Sequence, residues 1–168
     1  KLSRVTMPMV VVPGVGEVSD TAKIFYALCE NKAWADIACM LVQSRSMIDV
    51  HTLYRLDGGS EVTPLMMAAA DNRVDVAAAC IKARAAVDKA EKEEGATPLI
   101  VASLKGCVEV ARLLVDSGAD VDKATKAGGT PLFVASAEGH VDVARLLVDS
   151  GAGIDKTSTG GFTALIRA

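Results

Sequence analysis

A short pattern, Thr-Pro-Leu with Ala three residues further on, occurs at Thr63-Pro64-Leu65 with Ala68, at Thr97-Pro98-Leu99 with Ala102 and at Thr130-Pro131-Leu132 with Ala135. It returns without its proline as Thr163-Ala164-Leu165 with Ala168, and the four threonines are 34, 33 and 33 residues apart. A fixed period of this length means one supersecondary unit copied along an axis. Each copy is too small to bury its own apolar face and is stable only against its neighbours. The expected product is a single elongated stack.

Within a unit the physical logic is local. A threonine before a helix accepts a bond from an early, otherwise unpaired amide, and a proline at the first helical position has no amide to lose and a helix-ready φ. Each tetrad therefore starts a short helix, which stops at Gly106 and Gly139, and at Asn72 in the equivalent slot, because these residues accept a left-handed terminus cheaply. A second helix follows over Val108 to Val115 and Val141 to Val148, with Val110, Leu113 and Leu114, and Val143, Leu146 and Leu147, on one face. Alanines recur where the helices touch: Ala68, Ala102 and Ala135 on the first, Ala77, Ala111 and Ala144 on the second. The period thus predicts an all-α repeat solenoid of antiparallel helix pairs.

The stretch from Gly128 to Asp155, GGTPLFVASAEGHVDVARLLVDSGAGID, resembles an ankyrin repeat in its Thr-Pro-Leu start, Gly-His turn, Val-Ala-Arg-Leu-Leu second helix and Gly-Ala loop. The resemblance extends over residues 61–168 and, in degenerate form, over 19–50. It implies an ankyrin-repeat stack whose connectors, such as Gly118 to Asp122 with Lys126 to Gly129, project as β-hairpin-like fingers. It also implies protein binding on the concave face formed by fingers and first helices. The chain divides on this reading into an extended arm, residues 1–18, and a repeat domain, residues 19–168, with repeats over 19–60, 61–94, 95–127 and 128–160 and a partial one over 161–168.

Departures from the pattern carry their own expectations. Arg45 and Arg84 stand where later copies have Gly118 and Gly151; a left-handed non-glycine residue costs about 1–2 kcal/mol, so those loops are expected to take another route. The loop from Asp49 to Thr63 is longer than its counterparts, and its Leu56 to Ser60 turn is read as a tolerated insertion ahead of a protruding finger. After Thr-Pro-Leu, where ankyrin repeats commonly carry His, this chain has Met66, Ile100 and Phe133. The polar network of the family is thereby lost, and apolar packing is expected to hold the register.

Composition excludes several functions. The 18 Lys and Arg are interspersed with 21 Asp and Glu for a net charge of −3, so no basic stripe marks a nucleic-acid surface. Cys29, Cys39, Cys80 and Cys107 lie on expected helices with neither Cys-x-x-Cys pairs nor Cys/His clusters, which favours free thiols over metal ligands or disulfides. Such thiols suit the cytoplasm or another reducing compartment. The chain opens on Lys1, so an organelle interior reached after removal of a targeting peptide stays open.

No catalytic constellation is visible. Of the two histidines, His140 falls in the Gly-His turn that ankyrin repeats use structurally, and His51 has no companion. Glu91, Glu93 and Glu94 form a charge run typical of a solvated finger, and no phosphate-cradling glycine loop follows a strand. No metal, cofactor or small-molecule substrate is expected.

Partner-binding candidates are the positions that the repeat leaves free. These are Glu93, Glu94, Lys126 and Phe162 on the fingers, and Asp71, Leu104, Lys105 and Glu138 at the ends of the first helices. Leu104 and Phe162 are candidate apolar anchors. Residues 7–16 are apolar but broken by Pro8, Pro13, Gly14 and Gly16, too short to span a bilayer; Val10, Val11 and Val12 either lie across the first repeat or dock on a partner as an added strand. The last copy stops inside its first helix, leaving Phe162, Leu165 and Ile166 to be covered by a continuation of the chain or by a partner. The sequence supports a non-catalytic scaffold or subunit of a larger protein assembly, in the cytoplasm or inside an organelle, with a targeting module of a longer enzyme as the alternative.

Overall fold

The computed structural model describes residues 54–55 and 61–167. Two short strands, β1 (Tyr54–Arg55) and β2 (Glu61–Val62), pair antiparallel with Tyr54 opposite Val62 and Arg55 opposite Glu61. Seven helices follow among the described residues: α1 (Pro64–Ala70), α2 (Val74–Lys82), α3 (Pro98–Lys105), α4 (Val108–Asp116), α5 (Pro131–Ala137), α6 (Val141–Asp149) and α7 (Ala164–Arg167). Helices α1, α3, α5 and α7 stack side by side as one layer, and α2, α4 and α6 as a second layer behind it. The result is the expected solenoid of helix pairs.

The tetrads start the helices as their chemistry requires. Thr63, Thr97 and Thr130 accept the amides of Met66, Ile100 and Phe133 on Oγ1 at 3.2, 3.3 and 3.2 Å, with proline at the first helical position each time. The three threonines are buried, so each cap satisfies an amide that water does not reach. Asn72, Gly106 and Gly139 take left-handed φ of 53, 69 and 74° directly after the first helices and turn the chain into the second.

The expectation for Arg84 is overturned. Its φ is 66°, and its amide bonds the Ile81 carbonyl at 2.9 Å while that of Ala85 bonds Cys80 at 3.0 Å. Gly118 and Ala119 make the same pair of bonds to Val115 and Leu114, both at 3.0 Å. The loop keeps its route because Ala85, like Ala119 and Ala152, must reach the core, at 8, 7 and 7% exposure. Burial at the next residue outweighs about 1–2 kcal/mol of left-handed strain. Arg45 lies outside the described residues.

The core repeats with the same period. Leu65, Leu99 and Leu132 on the first helices meet Val76, Val110 and Val143 and the pair Leu114 and Leu147 on the second. Ala68, Ala102, Ala135, Ala77 and Ala111 are fully buried at the helix contacts, where their small side chains let the axes approach. Ala144, the equivalent of Ala111, is half-buried.

Fingers of the later repeats are tight turns. Thr125 donates its amide to Gly129 O at 3.0 Å, and Ser158 donates to Phe162 O at 2.9 Å beside a single bridge between Thr157 and Thr163. The two-rung ladder is confined, among the described residues, to β1 and β2, which flank the long turn; Leu56 to Ser60 themselves lie outside the described residues.

Candidate functional site

The fingers are tied to one another by side chains. Asp88 accepts the Asp120 amide on Oδ1 at 3.1 Å, and one period later Asp122 accepts the Gly153 amide at 2.9 Å. Lysines accompany them: Lys123 Nζ donates to Asp88 O at 3.0 Å, and Lys156 Nζ pairs with Asp122 at 3.4 Å. Thr159 donates both its amide and its hydroxyl to Ala127 O, at 3.0 and 2.9 Å. A polar ladder therefore links successive repeats, contrary to the expectation that apolar packing alone sets the register. Its donors and acceptors sit on the fingers, away from Met66, Ile100 and Phe133. Met66 does retain a polar part, since its sulfur accepts the Thr63 amide at 3.4 Å.

The finger between α2 and α3 holds the residue that makes one repeat step 34 instead of 33. Its wider turn is organised by Glu91, whose carboxylate accepts the amides of Glu93, Glu94 and Ala96, the last two at 2.7 and 2.9 Å. Glu91 is thus a cap and not part of a solvated charge run. Partial burial alone would raise its pKa, but the N–H groups of Ala96, Glu93, Glu94 and Gly95 together outweigh that and hold the carboxyl below the ordinary glutamate range. A folded-state pKa depressed in this way contributes stability above the unfolded-state value and loses it as pH falls through the folded one. Thermal scans from neutral to acidic pH should show this loss, and Glu91→Gln should flatten it while costing about 1 kcal/mol at neutral pH.

The predicted partner-binding residues form two groups. Leu104 is 43% exposed near the end of α3, and Lys105 beside it is exposed. Glu138 caps α5 and is exposed, and Asp71 caps α1 and is half-buried. Asp71, Lys105 and Glu138 each follow their repeat's threonine by the same interval and so stand as one row across stacked helices; Ala70, Leu104 and Ala137 form the adjacent row. On the fingers Glu93 and Glu94 point to solvent, and Phe162 is 49% exposed with its ring beside Gly160. Lys126 is exposed, yet its Nζ donates to Lys92 O and its amide to Glu94 O at 2.8 Å, so it fastens one finger to the next. Val10, Val11 and Val12 lie outside the described residues, as does His51.

His140 has a structural contact: its Nε2 donates to Leu104 O at 3.2 Å, and its ring covers Gly106. Cys80 and Cys107 are buried, and burial pushes the Cys107 thiol above its ordinary range. Cys29 and Cys39 lie outside the described residues. Among the described residues no helix is long and apolar enough to cross a membrane.

Sequence reasoning missed the aspartate ladder, although its signal was present. Asp-Lys recurs at Asp88-Lys89, Asp122-Lys123 and Asp155-Lys156, at the repeat period and always just before a finger.

Stacked helix pairs, capped by buried threonines and joined by projecting turns, define a helical repeat array. The family model for ankyrin repeats in three copies matches residues 24–125, and that for a single ankyrin repeat matches residues 127–159. The chain belongs to the ankyrin-repeat family, whose repeats mediate protein–protein interaction. No curated protein matches the sequence significantly.

Proposed function

We propose that this chain is a non-catalytic scaffold or adaptor that binds protein partners through its fingers and the ends of its first helices, as a structural subunit of a larger assembly. One observation carries the reading. Over a scaffold whose capping threonines, core leucines and helix-contact alanines recur at one period, the two rows at the ends of α1, α3 and α5 vary in charge and size, as Asp71, Lys105 and Glu138 beside Ala70, Leu104 and Ala137. Fold alone requires no such variation on one face, whereas recognition of a particular partner does. The arm over residues 1–18, the four repeats with a partial fifth over 19–168, and a reducing compartment suited to buried thiols belong to the same proposal.

Gentle purification followed by crosslinking mass spectrometry tests it. Crosslinks from Lys105 to one stoichiometric protein support the assignment. The double variant Lys105→Glu, Glu138→Lys is expected to weaken that partner's binding about tenfold, because charges at a rim set register and reject mismatched faces. Thermal unfolding should change little, since both side chains are exposed. Unaltered binding would remove these rows from the interface.

A further inference from the structure

We infer that neighbouring repeats meet at a size-matched joint, made by the left-handed residue that ends one first helix and the residue that opens the second helix of the following repeat and sits over it. The joint occurs in two forms: a small turn residue under a large partner, Gly106 under His140, and a larger one under a small partner, Asn72 under Cys107. A repeat is therefore compatible only with a neighbour of the matching form.

Position comes first. Asn72, Gly106 and Gly139 each follow their repeat's threonine by nine residues, with φ of 53, 69 and 74°. Cys107 and His140 stand directly before α4 and α6 in their own repeats. His140 reaches back over Gly106, where its Nε2 donates to Leu104 O at 3.2 Å. A Cβ on Gly106 would stand 2.6 Å from Nδ1 and 2.8 Å from Cε1 of that ring, so no side chain fits while the ring keeps its place. The exclusion comes from the following repeat and not from the turn itself. A Cβ on Gly139, in the same backbone conformation, would have nothing within 4 Å.

Asn72 does carry a Cβ and a carboxamide at this station, and the residue over it is the far smaller cysteine. Cys107 is 6% exposed; its sulfur accepts the Asn72 amide and its thiol reaches Lys105 O at 3.8 Å. Cys107 thus fills the joint from the following repeat as His140 does, with less volume. Two large members would overpack such a joint. Asp71 and Lys105 immediately precede the two turn residues, so the match also fixes which of these surface residues follows which. Removal of residues 89–122 would set His140 over Asn72, and the shortened chain would need Asn72→Gly beside it.

Thermal unfolding of the full chain, followed by circular dichroism, tests the match. Cys107→His and Gly106→Asn each create a joint with two large members and should lower the midpoint by about 5 °C. The paired variants Asn72→Gly with Cys107→His, and Gly106→Asn with His140→Cys, exchange one form for the other and should recover most of that loss. Any left-handed cost of Gly106→Asn is common to the single and the pair, so it cancels between them. The singles Asn72→Gly and His140→Cys complete two double-mutant cycles, each expected to show favourable coupling in the pair. Should Cys107→His or Gly106→Asn fail to fold, folding of the corresponding pair is the recovery. Additive effects, or pairs no more stable than Cys107→His and Gly106→Asn alone, overturn the match.

Discussion

Ala111→Leu is expected to destabilise the array by about 1–3 kcal/mol, whereas the same substitution at Ala144 should leave stability nearly unchanged. Both alanines occupy the same slot of the second helix, one period apart. Ala111 is 0% exposed between α4 and its neighbours, so three added heavy atoms force the axes apart on both sides. Ala144 on α6 is half-buried, and a leucine there has room to turn outward. Urea unfolding followed by circular dichroism measures both, and equal losses would show that the alanine row does not set the stacking distance.

Gly106→Ala should cost more than Gly118→Ala by about 1 kcal/mol, although both positions carry the same kind of backbone strain. Their φ values are 69 and 86°, so each alanine incurs about 1–2 kcal/mol of left-handed cost. The surroundings differ. A Cβ on Gly106 would stand 2.6 Å from His140 Nδ1, whereas one on Gly118 would have nothing within 4 Å. Displacing the imidazole also disturbs its 3.2 Å bond to Leu104 O. In a His140→Ala background the difference should vanish, and a double-mutant cycle isolates it. Equal costs for the two glycines in the parent chain would mean that the ring yields freely.

How much of this was legible in advance depends on the range of the interaction concerned. Thr63, Thr97 and Thr130 were readable as caps because the bond they make lies within four residues of sequence, and the alanine rows because their spacing is the period itself. Arg84 was misread because a local cost was weighed without the long-range gain: the residue is strained so that Ala85 reaches the core. Glu91 was misread for the same kind of reason, since a carboxylate in a charge run becomes a cap only once the turn has curled three amides around it. Among the surface candidates, Leu104 and Phe162, taken as exposed apolar groups, are exposed, but the bond from Lys126 Nζ to Lys92 O spans a whole repeat and has no local signature.

The finger ladder makes the chain editable in whole units. Asp88 and Asp122 hold equivalent stations, each accepting an amide from the following loop. Excision of residues 89–122 would bring Lys123 directly after Asp88 and leave that carboxylate facing the Gly153 amide, the donor that Asp122 now serves. Duplication works by the same rule in reverse. The reach of such a surface can therefore change by one rung at a time while the aspartate station keeps an amide to accept.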